Sequence, residues 1–233
     1  MHIVVFGATG GTGRQVIDQA LAAGHQVTAV ARRAGSLPAR DGLTAVAADV
    51  TDPAAAAAVD TAVAGADAVL SVLGGRFSRK PITLYSAATR DIVAAMHRHG
   101  VKRLVVVSSS VTDPDWRPTG SFFFTHVLDP LFNRRLGRTL HEDLRRMEAL
   151  VRASGLDWTI ARPSGLFDHP AVTCYLVAED RADGLFTARP DLAASMLAAL
   201  ADDRFVGKAM AVITTESTPS IAGLIWREAV RKK

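Results

Sequence analysis

The chain has 233 residues, of which 48% are hydrophobic, and a formal net charge of +4. This length and composition suffice for the core of one α/β domain, and so small a charge, without a basic stripe, disfavours a nucleic-acid-binding surface. The one cysteine excludes a disulfide framework and a cysteine-based metal site. No apolar run reaches the ~18 residues that cross a bilayer, and no cationic leader precedes the first apolar run. We therefore expect a cytoplasmic protein with a small-molecule partner and with no metal, nucleic acid or membrane.

Apolar runs alternate with helical patterns over most of the chain. Buried parallel strands are predicted at His2–Phe6, Gln26–Ala31, Leu43–Ala48, Ala68–Leu73, Arg103–Ser108 and Trp158–Ala161. Helices are predicted over residues 11–23, 53–64, 83–99 and 139–153. Glycines of the kind that end helices follow at Gly24, Gly65, Gly100 and Gly155. This repetition predicts an α/β fold with a doubly wound, parallel, Rossmann-type sheet, whose ligand lies at the carboxyl ends of its strands.

The alternation loosens after residue 161, where short strands are predicted over 172–177, 185–187 and 209–213, and helices over 190–201 and 219–230. No repeat or linker divides the chain, so residues 1–233 are expected to form a single domain. Its cofactor-binding half covers about 1–110, and the remaining sheet, an insert and a small substrate cleft cover about 111–233. The insert, Trp116–Leu136, is either a substrate lid or a loop that covers the core. The apolar face of the last helix leaves a homo-oligomer possible.

A glycine-rich segment lies directly between the first strand and the first helix. Its spacing is G-x-x-G-x-x-G, and the expected contacts are Gly7, Thr9, Gly10, Gly11, Thr12, Gly13 and Arg14. Gly7 permits a tight turn, Gly10 permits close approach of a pyrophosphate, and Gly13 permits close packing of the helix on the sheet. The N–H groups at the start of the helix then face the phosphates. The context predicts a dinucleotide site; the alternative is an ordinary glycine-rich turn.

The end of the second strand distinguishes NAD from NADP. An acidic residue there binds the ribose of NAD, whereas arginine accommodates the 2′-phosphate of NADP. The chain has Arg32 and Arg33, and no acid until Asp41. NADP(H) is therefore preferred and NAD(H) is possible; alternatively, one of the two arginines is only a solvated loop residue.

Two further strand ends carry residues suited to a nucleotide. Asp49 and Val50 follow the third strand, and the aspartate is a candidate acceptor for the adenine amino group or a helix cap. Leu73, Gly74 and Gly75 end the fourth strand, where glycines let a ligand approach the backbone.

Taken together, these residues resemble the atypical short-chain dehydrogenase/reductase superfamily, and within it the NAD(P)H-binding group that includes biliverdin reductase B (a flavin reductase) and NmrA-like regulators. The matching stretches are Gly7–Gly13, Ala48–Val50, Val105–Ser110, Glu148, Ser154–Pro163, Arg189–Ala193 and Asp202–Lys208. The resemblance implies that Ser108, Ser109 and Ser110 lie beside the nicotinamide, with Ser110 as the active-site serine. It also implies that Pro163, Ser164, Gly165 and Leu166 cover the nicotinamide. The alternative for the serines is that they satisfy backbone groups at a strand end.

The superfamily's usual tyrosine, followed four residues later by lysine, is missing. Tyr85 and Tyr175 are followed at that spacing by Thr89 and Glu179. Ordinary alcohol dehydrogenation is therefore disfavoured. One hypothesis is hydride transfer to a flat conjugated acceptor, such as a flavin or quinone, with His141 or His126 as candidate proton donor. The other is a non-catalytic NADP(H)-sensing regulator of the NmrA-like kind.

Three carboxylates on the helix over 139–153, Glu142, Asp143 and Glu148, are interpreted as a solvated face held by ion pairs with neighbouring arginines. Asp168 and His169 are interpreted as turn residues. Cys174 lies within an apolar run and is expected to be a buried, structural thiol.

Overall fold

The protein is described from a computed structural model, which covers residues 1–75, 78, 80–116, 137–216 and 218–219. The predictions for the insert beyond Trp116, including His126, and for the helix over 219–230, apart from its first residue, lie outside these described residues.

Ten strands are present in the described part of the chain. They are β1 (His2–Phe6), β2 (Gln26–Ala31), β3 (Leu43–Ala47), β4 (Ala68–Ser71), β5 (Arg103–Val107), β6 (Asp157–Pro163), β7 (Gly165–Phe167), β8 (Tyr175–Glu179), β9 (Phe186–Ala188) and β10 (Lys208–Thr214). Eight of them form one sheet in the order β3-β2-β1-β4-β5-β6-β10-β8. Every neighbouring pair in this sheet is parallel except β10 and β8, which are antiparallel. The predicted fold class and the six predicted parallel strands are confirmed.

Five α-helices connect these strands within the described residues. They are α1 (Gly11–Ala22), α2 (Ala56–Val63), α3 (Leu84–His99), α4 (Arg138–Arg152) and α5 (Arg189–Ala201). The predicted helix over 53–64 begins as a 3₁₀ turn, Pro53–Ala55, where Oδ1 of Asp52 accepts a hydrogen bond from the amide of Ala54 at 2.9 Å. Each predicted helix-ending glycine has a positive φ, which favours glycine, at Gly24, Gly65, Gly100 and Gly155.

The helices cover both faces of the sheet, and each face has its own core. Successive residues of β1 point to opposite faces because side chains alternate along a strand. Val4 and Phe6 pack with the core beneath α2, α3 and α4, whereas Ile3 and Val5 pack with the core beneath α1 and α5. A strand with helices on both sides is apolar on both faces, which is why the sequence shows uninterrupted apolar runs.

The C-terminal third contributes both to the large sheet and to a small one. β10 lies between β6 and β8, so residues distant in sequence complete the main sheet. β7 and β9 form a separate two-stranded parallel sheet that pairs Gly165 with Phe186. Thr173, Tyr175 and Val177 are partly buried, but Val172, Cys174 and Leu176 are exposed. The expectation of a buried Cys174 is therefore wrong: the apolar run borders an edge strand, where alternate side chains face outward.

Candidate functional site

A cleft of about 710 Å³ opens at the carboxyl ends of the parallel strands. Most of the residues predicted to bind a cofactor line it, namely Gly7, Thr9, Gly10, Gly11, Thr12, Arg32, Arg33, Asp49, Val50, Leu73, Gly74, Gly75 and Leu166. Within the described ranges, the lining omits Gly13, Arg14, Ser108, Ser109, Pro163, Ser164 and Gly165. The structure thus gathers the ends of β1 to β4 around one cavity, while most of the predicted residues after β5 and β6 are not part of its lining.

Sequence reasoning missed several lining residues. They are Val30, Ala31, Ala48, Thr51, Val72, Leu84, Val107 and Arg189. Several are the last residues of a strand or directly follow one, so placing the site one residue earlier at each strand end finds them. Arg189 lies in the family-like stretch Arg189–Ala193, but nothing in that stretch indicates that its side chain reaches the glycine-rich turn 177 positions away.

Backbone geometry requires glycine at the start of this turn. Gly7 has φ +82°, and a Cβ on it would lie 2.6 Å from the carbonyl oxygen of Val72. A Cβ on Gly13 would lie 2.3 Å from the carbonyl oxygen of Gly7 and 2.8 Å from that of Ala8. Gly13 therefore lets α1 pack against the turn itself, which refines its predicted role of packing on the sheet. A Cβ on Gly10 would lie 3.2 Å from the oxygen of Gly7, a tight contact with the backbone of the turn.

The amino end of α1 presents backbone N–H groups to the cleft. The amide of Gly10 donates to the oxygen of Gly7, and the amide of Arg14 donates to the oxygen of Gly10, both at 3.0 Å. The amides of residues 11–13 have no backbone acceptor among the described residues, as expected for the first turn of a helix. Their partial positive charge suits an anionic group.

Arg189, the first residue of α5, lies across this helix end. Its Nη1 is 3.4 Å from Oγ1 of Thr12, and its Nε donates to Oδ1 of Asp168 at 2.8 Å. Asp168, predicted to be a turn residue, therefore also pairs with a cleft-lining cation. A Cβ on Gly11 would lie 2.8 Å from Cδ of Arg189, so a side chain there would displace the arginine from this position.

Arg32 and Arg33 lie exposed at the end of β2 and line the opposite part of the cleft. Neither guanidinium forms an ion pair within the described part of the chain. The nearby Ser36 does not contact them through its side chain: its hydroxyl donates to the backbone oxygen of Arg33 at 2.8 Å. Both arginine side chains thus remain available to an anionic ligand.

Asp49 is the one carboxylate among the described lining residues. Its Oδ1 accepts hydrogen bonds from the hydroxyl and the amide of Thr51, at 2.7 and 3.0 Å. These bonds, with the charge of Arg32 as a smaller contribution, lower the pKa of Asp49 below its ordinary value. Its other oxygen accepts no hydrogen bond within the described structure, so this carboxylate can still accept one from a ligand.

The backbone after β4 is held by a tyrosine. The amide of Gly75 donates to the hydroxyl oxygen of Tyr85 at 2.8 Å. Burial raises the pKa of Tyr85, and the nearby charge of Asp143 raises it further. A Cβ on Gly74 would meet nothing within 4 Å, so Gly74 faces open space in the cleft.

The three serines after β5 make internal contacts. The Ser108 hydroxyl donates to Oε1 of Glu148 at 2.7 Å, and the Ser109 hydroxyl accepts from the amide of Val111 at 3.4 Å. Ser110 is 3% exposed; its hydroxyl donates to the oxygen of Arg162 at 3.1 Å and lies 3.2 Å from Oγ of Ser164. Here Val107, the last residue of β5, is the one that reaches the cleft among its described neighbours.

Glu148 anchors this region from α4 and is only 6% exposed. Its two oxygens accept hydrogen bonds from Nε of Arg162 at 3.1 Å and Nη2 of Arg162 at 2.6 Å. Oε1 also accepts from Thr112 at 2.8 Å. Burial opposes the charge of Glu148, yet the hydrogen bonds from Arg162 and Ser108 and the Arg162 charge hold its pKa below the ordinary value.

Asp143, also on α4, is completely buried. Its Oδ2 accepts from the amide of Tyr85 at 2.8 Å, and its Oδ1 accepts from the hydroxyl of Ser86, so it caps the start of α3. The interpretation of the α4 carboxylates as a solvated face is therefore wrong for Asp143 and Glu148, although both make the predicted ion pairs, with Arg146 at 3.2 Å and Arg152 at 3.7 Å. It holds for Glu142, which pairs with Arg138 at 2.8 Å on the surface.

His141 lies in the first turn of α4, where its amide donates to the oxygen of Gly137 at 2.9 Å. Its side chain is 6% exposed and does not belong to the described lining of the cleft.

Among the described residues, no group of three or more metal-ligating side chains is found. None of the helices in that part of the chain is long and apolar enough to cross a membrane.

The doubly wound sheet, the glycine turn and the cleft at the strand ends define a Rossmann-type, oxidoreductase-like fold. A sequence model of the NAD(P)H-binding family matches residues 7–203, and the chain belongs to this family. Its resemblance to atypical short-chain dehydrogenases/reductases is confirmed.

Three relatives illustrate this similarity. An uncharacterized chloroplastic protein of Arabidopsis thaliana is 31% identical over 179 residues, which are 72% of this chain and 60% of that protein. The chain thus spans about 60% of the length of this relative. The anaerobillin reductase ChuY of Escherichia coli O157:H7 is 24% identical, with a TM-score of 0.73 over 94% of this chain and 100% of that one. A Veillonella parvula short-chain dehydrogenase/reductase in complex with NADP is 18% identical, with a TM-score of 0.77 over 94% and 99% of the two chains.

Proposed function

We propose that the protein is an NADP(H)-dependent reductase that passes a hydride to a flat conjugated acceptor, such as a flavin or a quinone. One observation carries the proposal: the cleft joins the amino end of α1 to two arginines that have no ion-pair partner among the described residues. The shape and charge of the lining fit a phosphate-bearing dinucleotide. Arg32, Arg33 and Arg189 carry three positive charges there, against one carboxylate, Asp49, within the described lining.

The proposed cofactor contacts follow from this lining. The glycine turn and the free amides of residues 11–13 hold the pyrophosphate. Asp49 and Val50 border the adenine, with the free oxygen of Asp49 as acceptor. The gathering of these residues around one cleft supports the sequence prediction for this part of the site.

The preference for NADP(H) rests on the end of β2. An arginine fork matches a phosphate, and an exposed 2′-phosphate needs a cation more than a ribose hydroxyl does. The described lining has two arginines at this strand end and no carboxylate that could serve a ribose 2′-hydroxyl there. The complex of the Veillonella relative with NADP supports the same choice.

The part of the cleft assigned to the nicotinamide is largely apolar. Leu73, Val107 and Leu166 border it, and the nearby Tyr85 hydroxyl accepts the amide of Gly75. When bound, the reduced nicotinamide supplies a hydride, and the acceptor gains that hydride while its proton comes from water. A dry, apolar wall that positions an acceptor without supplying an acid suits flavins and quinones. The reductase activity in ChuY's name supports this reaction class.

Ser110 and His141 remain the proposed catalytic residues. The Ser110 hydroxyl contacts the backbone oxygen of Arg162 and the hydroxyl of Ser164, so its proposed role is to position the segment after β6 beside the nicotinamide. His141 is the proposed proton donor only for an acceptor that does not take its proton from water, and it would need access to the cleft from α4.

The alternative function is a non-catalytic, NADP(H)-sensing regulator of the NmrA-like kind. The observation that favours it is the internal use of the serine hydroxyls, since Ser108 donates to Glu148 and Ser110 donates to Arg162. Hydroxyls that form hydrogen bonds within the protein are not available to a substrate, so such a site can bind a cofactor but has few groups for catalysis.

The deciding experiment measures NADPH oxidation against FMN, several quinones and conjugated aldehydes, with NADH as the control for cofactor preference. Saturable turnover with one acceptor supports the reductase. Tight NADPH binding without turnover across the panel, together with a partner whose affinity changes with the NADPH/NADP ratio, supports the regulator. Failure to bind either nucleotide contradicts both.

A further inference from the structure

Arg189 is far from the glycine-rich turn in sequence but lies next to it in the folded protein. The guanidinium lies at the amino end of α1, with Nη1 3.4 Å from Oγ1 of Thr12, and the side chain lines the cleft. Gly11 makes this possible, because a Cβ there would lie 2.8 Å from Cδ and 2.9 Å from Nε of Arg189. The absence of a side chain at Gly11 therefore makes room for an arginine as well as for a ligand.

We propose that Arg189 is the cation that neutralises the dinucleotide's diphosphate, acting together with the amino end of α1. The inference rests on the proposed function, since it assigns a further residue to the same cofactor site. The arginines of the cleft then bind two different groups: Arg32 and Arg33 bind the 2′-phosphate, and Arg189 binds the diphosphate.

The charge of the diphosphate calls for a cation in addition to the amino end of α1. A helix amino terminus supplies only about half a positive charge. The diphosphate of a dinucleotide carries two negative charges, so the helix end alone leaves most of that charge uncompensated. Within the described lining, Arg189 is the only cation at the glycine-turn end, because Arg32 and Arg33 lie at the end of β2. Arg14 lies nearby, but its Nε donates to the oxygen of Thr9 and its side chain is outside that lining.

The ion pair with Asp168 positions the Arg189 side chain at the cleft but is weak enough to leave its terminal nitrogens available to a ligand. Asp168 is 87% exposed, whereas Arg189 is 29% exposed. An ion pair with so solvated a partner is weak. Asp168 contacts Nε, which leaves Nη2 without a contact in the described structure and Nη1 at the long distance from Thr12. The terminal nitrogens are thus the ones free to turn toward an anion, with the stem already in place.

Binding of the diphosphate and binding of the 2′-phosphate have different consequences for cofactor affinity. NADPH and NADH share the diphosphate but differ in the 2′-phosphate. Loss of a diphosphate ligand therefore weakens both nucleotides by a similar factor, whereas loss of a 2′-phosphate ligand weakens NADPH selectively.

The experiment compares the dissociation constants of NADPH and NADH, by calorimetry, for the full-length wild type and Arg189→Gln. We expect both nucleotides to bind about tenfold or more weakly in the variant, the change that one charge-assisted contact produces. Arg189→Lys, which keeps the charge, is expected to recover most of the lost affinity. Arg40→Gln is the matched control, because Arg40 also pairs with an exposed aspartate, Asp18, but lies outside the described lining.

Three results would overturn the inference. They are unchanged affinities in Arg189→Gln, a loss confined to NADPH, and a Lys variant as weak as the Gln variant. A thermal melt without nucleotide shows whether each variant is folded, and Arg189→Lys keeps the test open if Arg189→Gln is not. A wild type that binds neither nucleotide would overturn the proposed function itself, which the binding of wild-type protein tests separately.

Discussion

Arg162 of β6 and Glu148 of α4 form a two-point ion pair in the protein interior, with Nη2 to Oε2 at 2.6 Å and Nε to Oε1 at 3.1 Å. The same carboxylate receives the hydroxyls of Ser108 and Thr112. The pair therefore ties a helix on one face of the sheet to the loop that follows β5, directly behind the wall of the cleft. Its side chains are 7% and 9% exposed, so solvent screens it little.

Glu148→Gln is expected to lower the free energy of unfolding at pH 7 by about 3 kcal/mol, because it removes the closest carboxylate from the buried Arg162 charge and leaves only Asp113, at 3.8 Å. Urea unfolding measures this. Glu142→Gln is the matched control on the same helix, since Glu142 pairs with Arg138 on the surface, and it should show no measurable change. Equal stabilities for the two variants would contradict the role given to the buried pair.

The same pair predicts a pH dependence. The folded-state pKa of Glu148 is lowered, so its contribution is fully present above the ordinary glutamate value of about 4.3 and is lost as pH falls through the lower folded value. The stability difference between wild type and Glu148→Gln should therefore shrink in acid. Urea unfolding at a series of pH values from 7 to 3 measures it. A difference that stays constant over that range is the contrary outcome.

Cofactor choice should follow the arginines at the end of β2. Arg32→Ala combined with Arg33→Ala is expected to weaken NADPH by about 10- to 100-fold, the range for charge-assisted hydrogen bonds to a phosphate, and to leave NADH nearly unchanged. Fluorescence titration with both nucleotides measures the two affinities. Arg204→Ala, which removes an arginine paired with Asp202 away from the described lining, serves as control. An equal loss for both nucleotides would refute the 2′-phosphate assignment.

Close approach of a ligand to the backbone after β4 can be tested with a single methyl group. Gly74→Ala should leave stability unchanged, because a Cβ there meets nothing within 4 Å and φ is not positive. It should still lower nucleotide affinity severalfold if the cofactor passes against this glycine. Gly35→Ala also introduces a Cβ into open space but lies outside the described lining, so its affinity should match wild type. Indistinguishable affinities for the two variants would remove Gly74 from the site.

Ser110→Ala separates a role in turnover from a role in binding. The variant loses the hydroxyl that donates to the oxygen of Arg162, so we expect slower turnover with NADPH affinity nearly intact. Steady-state kinetics and a direct binding measurement distinguish the two effects. Ser109→Ala is the comparison, because the Ser109 hydroxyl accepts only a long local hydrogen bond from Val111. Unchanged turnover in Ser110→Ala would exclude that serine from the reaction.

Much of the fold could be predicted because a buried parallel strand leaves a strong local pattern. β1 and β2 occupy the predicted residues, and glycines with positive φ end the helices where expected. Both features depend on residues within a few positions of one another. The glycine turn and the arginines after β2 belong to this local class, and these are the parts of the predicted site that meet in the cleft.

Interactions between segments that are distant in sequence leave no local sequence pattern, and these were not predicted. Glu148 finds Arg162 across a helix–strand connection, and Asp143 finds Ser86 57 residues earlier in the chain. A signal was present, since both acids fall among Leu140, Leu144 and Met147 on the buried side of α4. Acidic residues within an apolar helical stripe indicate buried partners rather than a solvated face.

The contact between α1 and α5 determines when, during synthesis, the chain can complete its nucleotide site. Gln19 of α1 donates to the oxygen of Pro190, and Arg189 reaches Thr12 across 177 positions. Because synthesis runs from the amino end, the glycine turn leaves the ribosome well before its arginine neighbour, which lies 177 positions after Thr12. A growing chain that lacks α5 therefore carries an unfinished site. A nucleotide that recognises only the finished site would add about 2.7 kcal/mol to the native state at a hundred times its dissociation constant, favouring completed molecules over truncated ones.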